Sequence, residues 1–479
     1  MRRAVRGRRQ QHGAGARVRW SAAATAGLLV ALAGCTSGGG TALPRPASSA
    51  CARDDGVLRI VTGSDLSGSG IRSKLIDAWA ADHRNLKVEV VELPDDADGQ
   101  RSQLVAALQA GNKDCYDIVN LDVTWTAEFA AQGLIDPLPD SLRGLLDGGH
   151  FWSAARGSVH YKGKDWAVPW NTDVGLLYYR ADLLGDHPSF KTWHDLTQAV
   201  GSFDRTRDKR LRAGLLTQLA PYEGLTVNAS EAVWREGGDI AEGDGDDVAV
   251  TVEGITSLAG SVRQEEKDTD TLPVIGRTSL TLDETGTVEH FLAGEALTMR
   301  NWPFAAARLA EAETKGGRDT GAKGPRPVYA VTRLPRPDDD PGGSAAALGG
   351  QNLAMVRDSP NAGAAAELIE HLAGAGAQRC LRDGGFVPAL RSGGEGRCDA
   401  EKLVSGDPPA SARPPKLLGD SYRTALDESL KGARTRPVTP YYAAVTRDIQ
   451  EWVYGRLTDA APMSVPDFRD RLRKALSGR

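Results

Sequence analysis

Hydrophobic and polar positions alternate with two different periods between Val57 and Leu138. Apolar runs with strand character are each followed by a polar loop and by an amphipathic segment with helical spacing. In chain order these segments read VLRIVT, IRSKLIDAWAADH, LKVEVVEL, GQRSQLVAALQAG, YDIVNL and TAEFAAQG. Strands that alternate with helices at this spacing predict βαβ units, a parallel sheet and an α/β fold.

Strand and helix patterns continue to the C-terminus without an internal repeat. The segment VGLLYYRADLL predicts a buried strand followed by a helix that begins near Asp182, and the C-terminal third has mostly helical spacing. In open α/β sheets, ligands bind at the carboxyl ends of the strands. We therefore expect a site in the loops that follow the first three strands, which read TGSDLSGSG, ELPDDADG and NLDVTW.

The N-terminus has the pattern of an export signal. The first 19 residues carry seven Arg and no acid, and an apolar, Ala-rich segment follows from about Ser21 to Gly34. That segment is about 14 residues long, shorter than the ~20 residues that a membrane-spanning helix needs. Its last residues, LAGC, resemble the bacterial lipobox, which implies that Cys35 is acylated and becomes the mature N-terminus. Residues 1–34 are then a lipoprotein signal peptide, and the Gly/Ser/Pro-rich residues 35–52 are a flexible tether.

Composition and charge narrow the possible functions. The 479 residues are 41% hydrophobic and 25% charged, as in an ordinary globular protein. Removal of residues 1–34 takes away seven positive charges and changes the formal net charge from −5 to −12. A body that acidic is not expected to bind nucleic acid. We expect an extracytoplasmic protein on the outer face of the cell membrane, attached to the membrane by the lipid on Cys35.

An extracytoplasmic location permits disulfides among the other four cysteines. Proximity in the sequence favours Cys380–Cys398. Cys51 and Cys115 come just before two segments predicted as neighbouring parallel strands, so a Cys51–Cys115 bridge is also expected, although the pairing is a hypothesis. The chain has no C-x-x-C pair, so we expect neither a metal site nor a cofactor.

The sequence lacks the local signatures of catalysis and carries aromatic residues beside polar ones instead. It has no G-x-S-x-G and no H-E-x-x-H motif. Trp125 lies in LDVTW, Trp170 in VPWNTD and Trp302 in MRNWPF. An aromatic ring suits the C–H face of a sugar, whereas carboxylates, amides and guanidinium groups suit its hydroxyls. The polar groups available in these loops are Asp65, Asp122, Asn171, Asp173 and Arg300.

The order of motifs along the mature chain resembles the family of extracellular solute-binding lipoproteins of ABC sugar importers, the maltose/trehalose type. The motifs are DIVNLDVTWTAEFAAQGLIDPL, AVPWNTDVGLLYYRADLL, TWHDLTQA, YEGLTVNASEAVWREGGDI, GEALTMRNWPFAAARL, LGGQNLAMVRDSPNAGAAAELIEHL, GGFVPALRS and RPVTPYYAAV. The resemblance implies a two-lobed α/β fold, the type II periplasmic-binding-protein fold. Each lobe would be a mixed, mostly parallel sheet flanked by helices, and a three-segment hinge would join the lobes around the ligand.

The resemblance also implies the limits of the two lobes. The first lobe is expected to comprise residues 53–173 and 339–392, and the second lobe residues 174–338 and 393–479. The expected hinge crossings lie near Asp173–Gly175, Arg333–Asp338 and Leu390–Gly394.

Residues that contact a sugar in the family correspond to particular positions of this chain. They are Asp65, Asp122, Trp125, Asn171, Asp173, Trp302, Gly350, Gln351 and Arg436. Trp302 corresponds to the stacking aromatic, and Arg436 to a guanidinium that clamps the ligand from the second lobe, with Arg391 as the alternative. Tyr222–Gly224 is expected to open a helix that faces the cleft. Many relatives have an aromatic residue after LGG where this chain has Gln351, so its ligand need not be that of maltose-binding relatives.

These expectations lead to a monomeric, non-enzymatic protein that captures a di- or oligosaccharide, trehalose- or maltose-like, and delivers it to ABC permease transmembrane subunits. A lipid-anchored glycan-processing enzyme that uses two cleft carboxylates, such as Asp122 and Asp173, is one alternative. A non-sugar ligand is another: Tyr178–Tyr179 and Tyr441–Tyr442 resemble the tyrosine pairs of iron-binding relatives. Adjacent residues on a strand point to opposite faces, however, which disfavours iron. The sequence does not disclose the sugar, its linkage or the permease.

Overall fold

The structure is a computed structural model, and the part of the chain that it describes belongs to one compact unit, Ser48–Arg479. The described residues are 56–65, 69–93, 96–110, 116–185, 188, 190–240, 247–263, 271–315, 327–337, 345–391, 396–399, 419–460 and 463–479. The predicted signal peptide, the tether and the cysteines Cys35, Cys51 and Cys115 lie outside the described residues.

Strands and helices alternate through the first part of the chain, and helices dominate its end. The strands are β1 Val57–Gly63, β2 Lys87–Leu93, β3 Ile118–Asp122, β4 His160–Tyr161, β5 Lys164–Asp165, β6 Val168–Val174, β7 Leu176–Arg180, β8 Ala213–Leu216, β9 Val262–Arg263, β10 Ile275–Gly276, β11 Ala296–Asn301, β12 Tyr329–Arg333, β13 Leu348–Met355 and β14 Val387–Pro388. The α-helices are α1 Ile71–Asp82, α2 Ala97–Gln109, α3 Thr126–Ala131, α4 Asp140–Leu146, α5 Ser153–Ser158, α6 Ala181–Leu184, α7 Trp193–Gly201, α8 Glu223–Arg235, α9 Asp247–Ser261, α10 Glu284–Leu292, α11 Phe304–Lys315, α12 Ala362–Ala373, α13 Ala375–Asp383, α14 Asp420–Lys431, α15 Tyr442–Leu457 and α16 Val465–Ser477.

The predicted alternation of strands and helices from β1 to α3 is confirmed, and local sequence explains it. Nearly every residue of β1 is buried, as expected of a strand covered on both faces. In α1, Leu75, Ile76 and Trp79 form the buried stripe of an amphipathic helix. In α7, Thr192 and Asp195 form a capping box, in which the side chain of each residue accepts a backbone N–H of the other.

Two six-stranded sheets form the centres of the two lobes. Their strand orders are β14–β6–β13–β3–β1–β2 and β12–β7–β11–β8–β10–β9. The sequence predicts mostly parallel sheets, but among the described strands this holds only for β2–β1–β3 and β11–β8–β10–β9, and the remaining pairings in the two sheets are antiparallel. Four of the antiparallel pairings involve β7 or β13, which enter their sheets from the hinge, and the fifth joins β14 to β6. A strand that leaves the hinge runs opposite to the strands that end there.

Three chain segments lie side by side between the two sheets and form the hinge. Gly175 is the single residue between β6 of the first sheet and β7 of the second, and its N–H donates to the carbonyl of Ala347 at 3.4 Å. The backbone N–H of Arg434 donates to Ala346 at 2.9 Å, and Leu348 donates to Arg434 at 2.8 Å. These hydrogen bonds bring together residues 174–176, 345–348 and the segment around Arg434.

The third crossing was expected near Leu390–Gly394, which is too early in the chain, and α14 already packs with β12 of the second lobe before Arg434 is reached. Residues 396–399 still lie on the first lobe, because Cys398 packs against the core of that lobe and is bonded to its α13. The stretch that pairs with 346–348 is the one at Arg434. The first lobe therefore extends beyond its predicted boundary at residue 392.

Each sheet has its own hydrophobic core. Leu58, Ile60, Ile118, Val119 and Leu353 are fully buried in the first lobe. The corresponding core of the second lobe contains Leu177, Leu297, Val445, Trp452 and Phe468, so α15 and α16 pack on the second sheet. None of the helices in the described ranges has the length and apolar character needed to cross a membrane.

The predicted Cys380–Cys398 disulfide is confirmed. The two Cα atoms are 4.5 Å apart, and the bond closes a loop of 18 residues. Cys380 is completely buried in α13. The bond therefore holds residues 396–399, which lie between parts of the chain that the structure does not describe, on the surface of the first lobe.

Removal of this disulfide is expected to lower the free energy of unfolding by about 3 kcal/mol, because a loop of this length restricts the unfolded chain. The measurement is denaturant unfolding, followed by fluorescence, of the oxidised protein and of the Cys380→Ala/Cys398→Ala variant. Reduction of the unsubstituted protein is the control that leaves the side chains in place. A further loss on reduction of the double variant would report the predicted Cys51–Cys115 bridge. Equal stability of the oxidised protein and the double variant would contradict the expectation.

Candidate functional site

A row of polar side chains crosses the hinge-side edge of the first sheet. Gln351 of β13 lies in register with Asp122 at the end of β3 and with Asn171 of β6. Asp173 is two residues beyond Asn171 and is therefore on the same face, and it pairs with Gly349. The strands β3 and β6 are parallel to each other, since both are antiparallel to β13. Of this row, Asp122 comes from one of the three strand-end loops singled out in the sequence, whereas the other side chains come from β6 and β13.

A buried guanidinium holds this row together. The side chain of Arg72 in α1 donates to Oδ1 of Asn171 at 2.7 Å and also to Oε1 of Gln351. Its guanidinium lies 4.6 Å from the ring of Trp170 and 4.3 Å from that of Phe386. Burial lowers the pKa of Arg72 to about 10, against the opposing effect of Asp65 and Asp173. Arg72 is therefore a charged side chain enclosed by rings and amides.

Asp173 is the carboxylate of the row with the most perturbed acidity. Burial, reinforced by the negative charge of Asp122, raises the pKa of Asp173 to about 7, although Arg72 acts in the opposite direction. Its Oδ2 accepts one hydrogen bond, from Asn171 at 3.3 Å. Such a carboxyl changes its protonation near neutral pH. A perturbed acid in a cleft is a common feature of a functional site.

Arg436 contacts this edge from the second lobe. Its guanidinium lies 3.6 Å from Oδ1 of Asp122, donates to the carbonyl of Leu348 at 3.2 Å and forms an ion pair with Glu223. Glu223 also accepts hydrogen bonds from Tyr442 and Thr446. Burial raises the pKa of Glu223 to about 6, although Arg436 lowers it. The pair fixes Arg436 in position, so that it reaches Asp122 on the first lobe.

Trp302 follows β11 and meets the first lobe at Gly349. A Cβ placed on Gly349 would lie 3.1 Å from the indole of Trp302 and 3.1 Å from Cβ of Asp173. The indole remains partly exposed, and its Nε1–H donates to Glu284 at 3.2 Å. Glu284 also accepts a hydrogen bond from Tyr222 at 2.7 Å. An aromatic ring from one lobe and a carboxylate from the other thus lie on either side of a glycine.

Gly350 has a backbone role. Its φ of +112° lies where residues with a Cβ are strained. A Cβ there would also lie 2.4 Å from the carbonyl oxygen of Asn171. Gly350 therefore allows β13 and β6 to approach closely at this point.

A second contact between the lobes lies beside this cleft. Asp98, in the first turn of α2, accepts a hydrogen bond from Gln450 of α15 at 3.3 Å. It also accepts one from the backbone N–H of Glu223. The N-termini of α2 and α8 are therefore joined across the two lobes.

Three residues singled out in the sequence are buried and make contacts within the protein instead of facing the cleft. Trp125 is 4% exposed and stacks on Phe129 in the first core, and Trp170 is completely buried, so neither indole offers a face to a ligand. Arg300 is buried in an ion pair with Glu231. These aromatic residues follow apolar segments, and packing accounts for their positions.

The remaining predicted residues stand as follows. Asp65, two residues beyond β1, lies close enough to Arg72 to raise the pKa of that residue. Arg391 is exposed and lies 5.5 Å from the ring of Trp152, whereas Arg436 spans the two lobes.

The tyrosine pairs are largely occupied by packing and by hydrogen bonds within the protein. Tyr178 donates to the carbonyl of Trp302, and Tyr179 packs against Phe190. Tyr442 is buried on Glu223. Within the described ranges, no group of three or more His, Cys, Asp or Glu side chains could hold a metal ion.

Sequence reasoning missed Arg72, Glu284 and Tyr422. Arg72 had a readable signal, because it occupies a position of the apolar stripe of α1, in phase with Leu75 and Trp79. A cation at such a position needs partners inside the protein. Glu284 and Tyr422 sit in the first turns of α10 and α14, where acidic and aromatic residues carry no particular signal.

Comparisons with known proteins agree with the fold. The sequence profile of the bacterial extracellular solute-binding protein family matches residues 63–379. This chain belongs to that family. A probable ABC transporter-binding protein of Deinococcus radiodurans is 31% identical over 314 residues, which are 63% of this chain and 68% of that protein. The chain is thus a solute-binding protein of an ABC transporter.

Solved structures of sugar-binding proteins have the same fold. Maltose-bound MalE3 of T. maritima has a TM-score of 0.69 and 25% identity, with 88% of this chain and 99% of that chain covered. The GacH receptor of Streptomyces glaucescens, solved without ligand and with acarbose, has a TM-score of 0.66 and 18% identity, with 88% and 98% covered. The two-lobed type II periplasmic-binding-protein fold is confirmed.

The pKa of Asp173 predicts how stability depends on pH. Because this pKa is about 7 in the folded protein and 3.8 ordinarily, the folded state binds the proton more tightly than the unfolded state. The stability that the proton contributes is complete below pH ~4 and is lost as pH rises through about 7. Asn cannot titrate, so Asp173→Asn should unfold like the unsubstituted protein at pH 4 and be more stable at pH 8.

The pKa difference corresponds to about 4 kcal/mol. We expect Asp173→Asn to gain about half of this free energy of unfolding at pH 8, because Asp173 keeps partial contact with solvent. The groups that face Asp173 are Arg72, Asp122, Tyr178 and Tyr422. Denaturant unfolding at the two pH values provides the measurement, and Asp147→Asn, at an exposed position, is the control for the change in net charge. A pH-independent difference would rule out Asp173 as the titrating group.

Proposed function

We propose that this protein captures a sugar, a di- or oligosaccharide of trehalose- or maltose-like form, between its two lobes and delivers it to the transmembrane subunits of an ABC permease. The observation that carries the proposal is the meeting of Trp302 and Asp173 over Gly349. A sugar ring has an apolar C–H face for an indole and hydroxyls for a carboxylate. The two groups come from different lobes, so a ligand that contacts both stabilises the closed arrangement.

Polar groups around this point supply hydrogen-bonding capacity of both kinds. Asp122 and Asp173 accept hydrogen bonds, whereas Asn171 and Arg436 donate them. Asp65 completes the set of predicted ligand contacts at the end of β1. Trp125 is left out of the proposed site because it is packed in the core.

Related structures support a sugar over other solutes. One structural neighbour is described with bound maltose, another with acarbose. A thermal-shift screen of mono-, di- and oligosaccharides tests the proposal, because a ligand that binds the native state raises the melting temperature. A panel in which no sugar raises it would overturn the proposal.

An enzyme is the second candidate function, because two carboxyls in one cleft, Asp122 and the Asp173 of raised pKa, also suit glycoside hydrolysis. The screen therefore includes an assay for release of reducing sugar from each glycan that binds. Binding without release supports a transport protein. Catalytic turnover would assign the site to an enzyme.

Trp302→Ala is expected to weaken sugar binding about tenfold, the loss of roughly one stacking contact. Calorimetry on the best ligand of the screen measures the effect, and Trp302→Phe should restore part of the affinity. Trp166→Ala is a matched control, because this partly buried tryptophan precedes the start of β6, at the far end of that strand from Asp173. Unchanged affinity in Trp302→Ala would remove the indole from the site.

The lipid anchor is a separate part of the proposal and is based on the lipobox-like LAGC at Cys35. In a bacterial host that acylates lipoproteins, the unsubstituted chain is expected to incorporate labelled palmitate and to sediment with membranes. Cys35→Ser should lose the label and leave the membrane fraction, while its sugar affinity stays the same. Palmitate labelling of the Cys35→Ser protein would contradict acylation at this position.

A further inference from the structure

Among the residues that the structure describes, the cleft contains more carboxylates than cations that could neutralise them. The acidic side chains in this balance are Asp122, Asp173, Glu223 and Glu284. The guanidinium groups that face them are Arg72 and Arg436, because Arg300 is already paired with Glu231. A neutral sugar does not need such an excess of negative charge.

On the side of the second lobe, a single guanidinium contacts two carboxylates. Arg436 contacts both Asp122 and Glu223, so one of the two negative charges remains uncompensated. Glu284 accepts from the phenol of Tyr222 and from the indole of Trp302. Both donors are neutral, and the described part of the chain provides no cation within ion-pair distance of Glu284.

At the first-lobe side, Arg72 is directed to amides rather than to acids. Its donors go to the side-chain oxygens of Asn171 and Gln351. In the described ranges, Asp173 has no ion pair, and its one hydrogen bond comes from the neutral amide of Asn171. A carboxylate that is this enclosed needs either a proton or a cationic partner.

The point at which such a partner would meet Asp173 lies where the two lobes touch, at Gly349 and Trp302. Asp122 and Asp173 lie on strands separated by β13, about 10 Å apart across the sheet. The β13 residue in register with Asp122 is Gln351, whereas the β13 residue in register with Asp173 is Gly349, which places no side chain beside it. Trp302 adjoins the same point from the second lobe, and an aromatic face attracts a cation as well as a sugar ring.

We propose that the ligand is a basic sugar, whose amine nitrogen is protonated and binds beside Asp173, where Gly349 meets Trp302. This inference rests on the proposed function, because it specifies the chemical class of the sugar. Asp122 and the π face of Trp302 contribute to the stabilisation of the charge. The hydroxyls of the same ligand are bound by the polar row.

Two matched pairs of compounds test the proposal by calorimetry at pH 7. Acarbose carries a secondary amine and has the length of maltotetraose, and the β-1,4-linked glucosamine dimer differs from cellobiose by ammonium groups in place of hydroxyls. We expect at least one basic compound to bind at least ten times more tightly than its neutral counterpart. The advantage of the basic compound, which is the ratio of its affinity to that of its neutral counterpart, should decrease with added salt, because screening weakens an ionic contact.

Asp173→Asn keeps the shape of the side chain and removes its charge, so the advantage of the basic compound should fall at least fivefold in this variant. Asp147→Asn removes the same charge at an exposed position and should leave the advantage unchanged. A loss of the same size in both variants would mean that net charge alone attracts the amine, which would overturn the assignment to Asp173.

The remaining outcomes separate the two proposals. If a neutral sugar, from these pairs or from the thermal-shift panel, binds as well as or better than every basic compound, the inference is wrong and the sugar-binding function stands. If no sugar binds, neutral or basic, the proposed function is wrong and this inference is wrong with it.

Discussion

The buried ion pair between Arg300 and Glu231 connects the hinge to the cleft. Two hydrogen bonds join the groups, at 3.0 and 2.6 Å, and Glu231 also accepts the backbone N–H of Ala347 at 3.1 Å. A Cβ on Gly175 would lie 2.6 Å from Glu231. Burial of two charges is unfavourable unless their hydrogen bonds are satisfied. The pair therefore holds two hinge segments, at Gly175 and Ala347, in one arrangement.

The same guanidinium supports the aromatic residue of the site. Arg300 lies 4.0 Å from the ring centre of Trp302, and Trp302 also packs beside Ala345 and Ala347 of the hinge. The position of the indole thus depends on the hinge segments and on the ion pair that fixes them. A movement of the lobes about Gly175 changes the distance between Trp302 and Asp173, which belong to different lobes. A change in the hinge therefore changes the geometry of the site.

The sequence predicted the secondary structure, the fold class and the polar edge of the first sheet because these depend on local periodicity and on motif order. The register of Asp122, Gln351 and Asn171 follows from strand ends that share one edge. The pairing of Arg434 with residues 346–348 at the hinge was not predictable in this way, since it joins segments that are far apart in the chain. Trp125 and Trp170 were proposed as sugar-contacting rings because polar residues flank them in the sequence, but both are buried. A polar neighbour in the sequence does not show whether a ring points into the core or into the cleft.

Gln351 shows how a single departure from the family pattern changes the chemistry of the cleft. Its carbonyl oxygen accepts hydrogen bonds from Arg72 and from Asn120, so the amide is part of a buried network. An aromatic residue at this position could not accept the hydrogen bond from Arg72, and the guanidinium would need another acceptor. The acids that act on it electrostatically are Asp65 and Asp173. With Gln351 in place, Arg72 is satisfied by amides, and Asp173 keeps the charge that a basic sugar would neutralise.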